Sequence, residues 1–255
     1  SLSPSVHTSQ AMWYAFIRWL VRNAFFRLGL GGLRSVDETN MTRSGAVIVA
    51  PVHFSYLDPP AVACGTRRGL TFMAKEELFR HGLFGWLIRS LGAFPVRRGE
   101  SDTEAIRLTL RLLEEGRAVL MFPEGTRGNG TTLGSITRGI GMIAKRSGAP
   151  ILPVGIIGTF EAWPKGAKKL KRHRITLVYG KPFTYEEITK GMPEREGREA
   201  FAKAVEAALL KACARGGLQL RTSPSGSSST SASRPPEGSA PPTPEAGETP
   251  VPPTP

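Results

Sequence analysis

The sequence predicts an α/β domain with a largely parallel central sheet flanked by helices. Three observations carry that expectation: short apolar runs recur along the middle of the chain, helical patterns separate them, and Gly, Pro or charged residues bound each run. The runs are Ala46 to Pro51 (AVIVAP), Leu70 to Ala74 (LTFMA), Ala93 to Val96 (AFPV), Ala118 to Phe122 (AVLMF), Ile151 to Ile157 (ILPVGII) and Ile175 to Tyr179 (ITLVY). Strands that alternate with helices form parallel sheets covered on both faces, which explains why these runs are continuous rather than alternating.

The helices follow from periodicity and caps. Between the third and fourth runs Ser101 or Asp102 can cap, Glu104 stands three residues after Ser101 as in a capping box, Ile106, Leu110 and Leu113 mark one face, and Gly116 ends the helix. Ser135 to Ser147 and Glu194 to Ala214 are further predicted helices. In such a fold, sites form at the carboxyl ends of the strands, so the loops that follow the runs are where chemistry is sought.

The first 44 residues hold an amphipathic segment, Ala11 to Leu30, in which Trp13, Tyr14, Phe16, Trp19, Phe25 and Phe26 are interleaved with Arg18, Arg22 and Arg27. Its longest charge-free run, Ala11 to Ile17, has seven residues, against roughly 20 needed to cross a bilayer. Aromatic residues mixed with arginines are what an in-plane interfacial helix carries; the competing reading is a helix packed on the domain's own core. Arg18 and Arg22 share one helical face, whereas Arg27 falls on the opposite one unless the helix bends near Asn23. Residues 45–220 are the predicted folded domain. From Arg221 to Pro255 the chain is almost wholly Ser, Pro, Thr, Gly, Ala and Glu, with 10 of the 21 prolines and one large apolar residue, Val251, a composition that predicts a disordered tail.

Charge narrows the partners. The 255 residues carry a formal net charge of +13, and the tail, with Arg221 and Arg234 against Glu237, Glu245 and Glu248, contributes none of that excess. An anionic partner is implied: nucleic acid, anionic lipid or a phosphorylated substrate. Lys165, Lys168, Lys169, Lys171, Arg172 and Arg174 form a basic run without interleaved aromatic residues or a nucleic-acid fold motif, which favours lipid headgroups over nucleic acid. The two cysteines, Cys64 and Cys213, show neither a metal-ligand spacing nor a disulfide framework, so no metal is expected.

Two loops carry candidate chemistry. His53-Phe54-Ser55-Tyr56-Leu57-Asp58-Pro59-Pro60 follows the first run. Residues five apart on a continuous helix point about 140° apart, so contact between His53 and Asp58 requires a turn. Asp58 either completes a capping box with Ser55 or caps a helix with Pro59 in its first position. From either place it can accept a hydrogen bond from one imidazole nitrogen and leave the other as a base. Phe122-Pro123-Glu124-Gly125-Thr126-Arg127 follows the fourth run, where glycine frees backbone amides and Arg127 can grip a phosphate with both arms. The loop lacks the Lys-Ser/Thr pair of a P-loop and the dinucleotide fingerprint. Arg97-Arg98-Gly99 and Lys75-Glu76-Glu77-Leu78 follow two other runs.

Together these motifs resemble the glycerolipid acyltransferases, and within them the 1-acylglycerol-3-phosphate (lysophosphatidic acid) acyltransferases. HFSYLD resembles the family's first block with His53 and Asp58, GAFPVRRG the second with Arg98, FPEGTR the third at every position, and ILPVGI the fourth. The likeness runs from about Gly45 to Pro182 and includes Trp163-Pro164-Lys165-Gly166. Arg97 departs from it, since relatives often carry Asp there. The resemblance implies transfer of a fatty acyl chain from an acyl thioester, acyl-CoA or acyl carrier protein, to the free hydroxyl of 1-acylglycerol-3-phosphate, making phosphatidic acid. His53 and Asp58 would be catalytic; Lys75, Arg98, Glu124, Gly125, Thr126 and Arg127 would bind substrate, with Glu124 orienting Arg127 or bonding the glycerol backbone. No cofactor beyond the thioester co-substrate is implied. The expected location is the cytoplasmic face of a membrane, peripheral or monotopic, against an anionic surface. Glycerol-3-phosphate or another lysophospholipid as acceptor, and a non-catalytic polybasic membrane-binding module, stand as alternatives.

Overall fold

A computed structural model describes residues 4–66, 68–80, 82–96, 102–164 and 166–222. Helix α1 (Pro4–Leu20) runs into a π-helical segment (Val21–Leu30), and strand β1 (Leu33–Val36) follows. Then come β2 (Val47–Pro51), α2 (Asp58–Gly65), β3 (Leu70–Lys75), α3 (Gly82–Ser90), β4 (Ala93–Val96), α4 (Asp102–Glu114) and β5 (Ala118–Leu120). A two-residue β6 (Thr132–Leu133) precedes α5 (Arg138–Ser147), β7 (Ile151–Ile157), α6 (Thr159–Ala162), β8 (Ile175–Tyr179), α7 (Tyr185–Thr189), α8 (Glu194–Arg215) and β9 (Arg221–Thr222).

Seven strands form the main sheet in the order β1-β8-β7-β2-β5-β3-β4. Every neighbouring pair is parallel except β7 and β8, so β8 and β1 run against the other five. The largely parallel α/β sheet is thus the observed architecture. All five residues of β2 and the first six of β7 are buried, as a sheet covered on both faces requires. α2 packs on β1 and β8, α3 on β4, and α8 on β7 and β8, while α4 lies on β5 and on α5. Gly155 permits α8 to close on β7: a Cβ there would meet the α8 backbone at Ala212 at 2.7 Å.

The six predicted strands all form, the fourth ending at Leu120 rather than Phe122. The predicted helix at Ser135 begins at Arg138, with Thr137 as its cap. The Ser101 cap lies outside the described residues. Two departures concern boundaries. β1 falls within the first 44 residues yet joins the main sheet, and Ile17, Phe26 and Leu30 join its core. Arg221 and Thr222, assigned to the tail from composition, pair with Thr132 and Leu133; the remainder of 221–255 lies outside the described residues. No helix among the described residues is long and apolar enough to cross a membrane.

Segment Ala11 to Leu30 packs one face on the core, as the competing reading expects, and leaves another face exposed. Ile17, Val21, Phe26 and Leu30 are buried, whereas Met12, Trp13, Phe16, Trp19 and Leu20 are exposed. The second set is spaced at one, four, seven and eight residues from Met12, the stripe of a single helical face. Trp19, Phe16 and Trp13 touch ring to ring, and Trp13 meets Trp86 of α3 edge-on at 6.2 Å. An apolar ridge therefore stands on the outer side of a helix whose inner side is core.

Candidate active site

The chain leaves β2 toward α2 on one face of the sheet and leaves the adjacent β5 toward α5 on the other. Loops that diverge from neighbouring parallel strands open a crevice between them. His53 stands on the first loop and Phe122 to Arg127 on the second.

The first loop folds into a tight turn around Asp58. One carboxylate oxygen, Oδ2, accepts from Phe54 N at 2.6 Å, Ser55 N at 2.7 Å and His53 Nδ1 at 3.0 Å. Asp58 is fully buried and opens α2, with prolines in the next two positions. Ser55 accepts from Leu57 N through its hydroxyl at 3.1 Å and donates that hydroxyl to Trp163 O at 2.6 Å. Of the two arrangements that the sequence left open, the capping-box bond from Ser55 N to Asp58 is present, whereas Asp58 is not the cap: Leu57 holds that position without a side-chain bond, and Asp58 is the first helical residue with Pro59 second. With Nδ1 donating to the carboxylate, the imidazole tautomer leaves Nε2 as the basic nitrogen. The ring is stacked on Phe122 at 3.8 Å, with its side chain 17% exposed, so its plane is held from two sides.

The second loop is anchored by Glu124. Its Oε1 accepts from His53 N at 3.0 Å and its Oε2 from Gly134 N at 2.7 Å. Burial pushes the Glu124 carboxyl above the ordinary range, against the opposing pull of those two amides. Each oxygen thus accepts from a backbone amide, and the two bonds tie the loops together; no contact to Arg127 is among them. Gly128 N closes a second tie by donating to His53 O at 2.8 Å.

Arg127 lies over the Tyr56 ring at 3.6 Å, and its Nη1 is buried without a hydrogen-bond partner among the described residues. Tyr56 in turn rests on Trp163 at 5.6 Å. A guanidinium packed on a ring face keeps its edge free for a planar, two-pronged partner such as phosphate. Gly125 and Thr126 are exposed beside it. Tyr56 was not singled out from sequence, although it stands inside HFSYLD; only its contact with a residue 71 positions away reveals its part. Lys75 closes β3, but its side chain, like Arg97 and Arg98, lies outside the described residues. No group of three metal-ligating side chains gathers among the described residues.

His53, Tyr56, Arg127, Gly125 and Thr126 line one cavity of about 560 Å³ together with Glu77 and the apolar Phe72, Met73, Leu78, Ile88 and Phe122. A base and a cation thus share a largely apolar cavity. That arrangement can hold a molecule with an anionic head, a reactive hydroxyl and a hydrocarbon tail.

Residues 33–157 match the acyltransferase family model. The 1-acyl-sn-glycerol-3-phosphate acyltransferase of Streptococcus pneumoniae is 31% identical over 198 residues, covering 76% of this chain and 71% of that protein. The enzyme of the same name from Bacillus subtilis is 28% identical over 177 residues, covering 69% of this chain and 85% of its own. The crystal structure of the 1-acyl-sn-glycerophosphate (LPA) acyltransferase PlsC from Thermotoga maritima superposes with a TM-score of 0.63 at 26% identity, covering 82% of this chain and 84% of that one.

Proposed function

The chain belongs to the acyltransferase family, and from that premise we propose that it transfers a fatty acyl chain from an acyl thioester to the free hydroxyl of 1-acylglycerol-3-phosphate, yielding phosphatidic acid. The observation that carries the reading is the His53–Asp58 pair, 3.0 Å apart, with His53 and Arg127 lining one largely apolar cavity.

The steps balance without a covalent enzyme intermediate. Arg127 holds the acceptor phosphate, and this fixes the hydroxyl against His53. Nε2 takes the hydroxyl proton as the oxygen attacks the thioester carbonyl carbon. The C–S bond breaks, and the thiolate leaves with the proton that His53 had taken. Asp58 keeps the ring in the right tautomer and stabilises its cationic form. Hydrocarbon chains lie against Phe72, Met73, Leu78 and Ile88. Lys75 and Arg98 belong to the same proposal as further cations for the phosphate.

The protein works against an anionic membrane surface, peripheral or monotopic on the cytosolic side. Support comes from the ridge of Trp13, Phe16, Trp19 and Trp86, exposed by 46% to 62%, and from exposed Lys168, Lys169, Lys171, Arg172 and Arg174. The test is release of free thiol from a long-chain acyl thioester, assayed with acyl-CoA and with acyl carrier protein as donors, against a panel of acceptors. Release that depends on lysophosphatidic acid is expected; release indifferent to every acceptor would refute the assignment.

A further inference from the structure

A cavity of about 390 Å³ lies at the β1 edge of the sheet, lined by Arg22, Arg27, Arg34, Arg174, Gly31 and Gly32 among others. It shares no residue with the cavity of His53. Because β1 and β8 run against β2, their first residues stand at the end of the sheet where β2 finishes. The cavity therefore lies toward the same rim as the candidate active site, with β2, which leads to His53, three strand positions and about 14 Å from β1.

Four arginines from three separate stretches of chain line this space. Arg22 and Arg27 belong to the π-helical segment, Arg34 to β1 and Arg174 to the loop before β8. On an α-helix, residues five apart diverge by about 140°, which placed Arg27 on the wrong face in the sequence reading. The i→i+5 wind of the π-helical segment Val21–Leu30 brings them onto one side, and π geometry is rare and frequent at functional sites. Arg172 comes close as well, its Nε 3.6 Å from where a Cβ on Gly31 would stand.

Among the described residues no carboxylate lines the cavity, and Arg27, Arg34 and Arg174 enter none of the ion pairs. Arg22 donates to a neutral acceptor, the Cys64 carbonyl, at 3.3 Å. The amides of Gly31 and Gly32 both bond to Phe26 O, so an anion here would be held by guanidinium forks, the geometry suited to phosphate.

We propose that this cavity is a second phosphate-binding site, separate from the site of acyl transfer, which takes a terminal phosphate group such as the headgroup of phosphatidic acid in the adjoining bilayer. The lipid source rests on the proposed function; the phosphate chemistry does not.

The test compares two variants of equal charge. Arg27→Gln/Arg34→Gln/Arg174→Gln removes three cations from the cavity, and Lys168→Gln/Lys169→Gln/Lys171→Gln removes three from the exposed run beside it. Cosedimentation with phosphatidylcholine vesicles containing phosphatidic acid should be weakened at least about tenfold more by the arginine changes, since each charge-assisted bond lost is worth that much. Titration with inorganic phosphate separates the sources. Heat of binding in the wild type that disappears in the arginine variant supports a site open to the free ion; no heat, with the vesicle contrast intact, supports a site for the lipid headgroup. Equal losses in the two triple variants would overturn the proposal, because a diffuse field would then explain the binding. If the arginine triple fails to fold, Arg34→Gln alone, an exposed position on an edge strand, carries the same comparison. Transfer to a short-chain soluble acceptor should be unchanged in the arginine variant; a wild type that transfers to no acceptor would refute the proposed function and leave the vesicle contrast to stand by itself.

Discussion

The loops after β2 and β5 lie side by side but are built in opposite ways. In the first, Asp58 Oδ2 takes three hydrogen bonds within six residues of chain, and the His53 ring is pinned between that carboxylate and Phe122. In the second, Gly125 and Thr126 are exposed, and Arg127 lies on a ring face with one buried nitrogen unpaired among the described residues. Proton transfer tolerates little displacement of the base, whereas a phosphate completes the polar contacts of the group that receives it. The difference teaches that rigidity is concentrated where a proton moves and withheld where a ligand supplies the missing partner.

The largest effect should follow from removing the base. His53→Ala is expected to lower turnover by about 10²- to 10⁴-fold with little change in melting temperature, since Asp58 keeps its two backbone amides. Asp58→Asn should lower turnover by orders of magnitude with acceptor affinity little changed, and should also cost about 1 to 3 kcal/mol of stability, because a buried carboxylate with three donors is replaced by a group that is itself half donor. Wild-type turnover in His53→Ala would break the contrast between the loops at its root.

The open loop should answer differently. Arg127→Ala is expected to raise the acceptor's Michaelis constant about 10- to 100-fold, with turnover at saturation less affected. Arg127→Lys should recover only part of this, because an ammonium has no planar fork. Tyr56→Phe should behave like the wild type, since the ring and not the hydroxyl supports Arg127; an effect as large as that of Arg127→Ala would show that Tyr56 itself touches substrate.

Glu124 sharpens the comparison because it belongs to both loops. Its carboxyl is raised by burial, so the folded chain holds that proton to higher pH than the unfolded one. Its contribution to stability is then fullest below the ordinary carboxylate range and declines as pH rises toward the raised folded value. Glu124→Gln removes that slope and exchanges one amide-accepting oxygen for a donor, at a cost of about 1 kcal/mol or more. Denaturant unfolding of both proteins across that window should give a stability difference that shrinks as pH rises; a constant difference would refute it. The smallest effect is expected at the thiols: burial pushes Cys64 and Cys213 up to about 12, so a thiol reagent at neutral pH should leave native protein unlabelled and its activity unchanged.

Much of the molecule was legible in the sequence, and the failures share a cause. Six strands announced themselves because a parallel strand covered on both faces is one unbroken apolar run. β1, with Arg34 and Ser35 in a partly buried edge strand, has no such run and was missed. The His53–Asp58 pair was legible because both partners lie in one short loop. The role of Glu124 was not, because its partners are backbone amides 71 and 10 residues away, and every residue has an amide. The turn of Arg27 onto the side of Arg22 depends on a helix widening to π geometry, for which helical periodicity offers no template.

The carboxylate of Glu124 also has a consequence in time. A single side chain holds the amide hydrogens of His53 and Gly134, one at each oxygen, so neither hydrogen reaches water unless that carboxylate lets go or its own loop departs. Two amides 81 positions apart in the chain should therefore exchange with deuterium through one shared opening, at matched rates that rise together in Glu124→Gln, while the neighbouring amide of Phe54, held instead by Asp58, keeps its own slower clock.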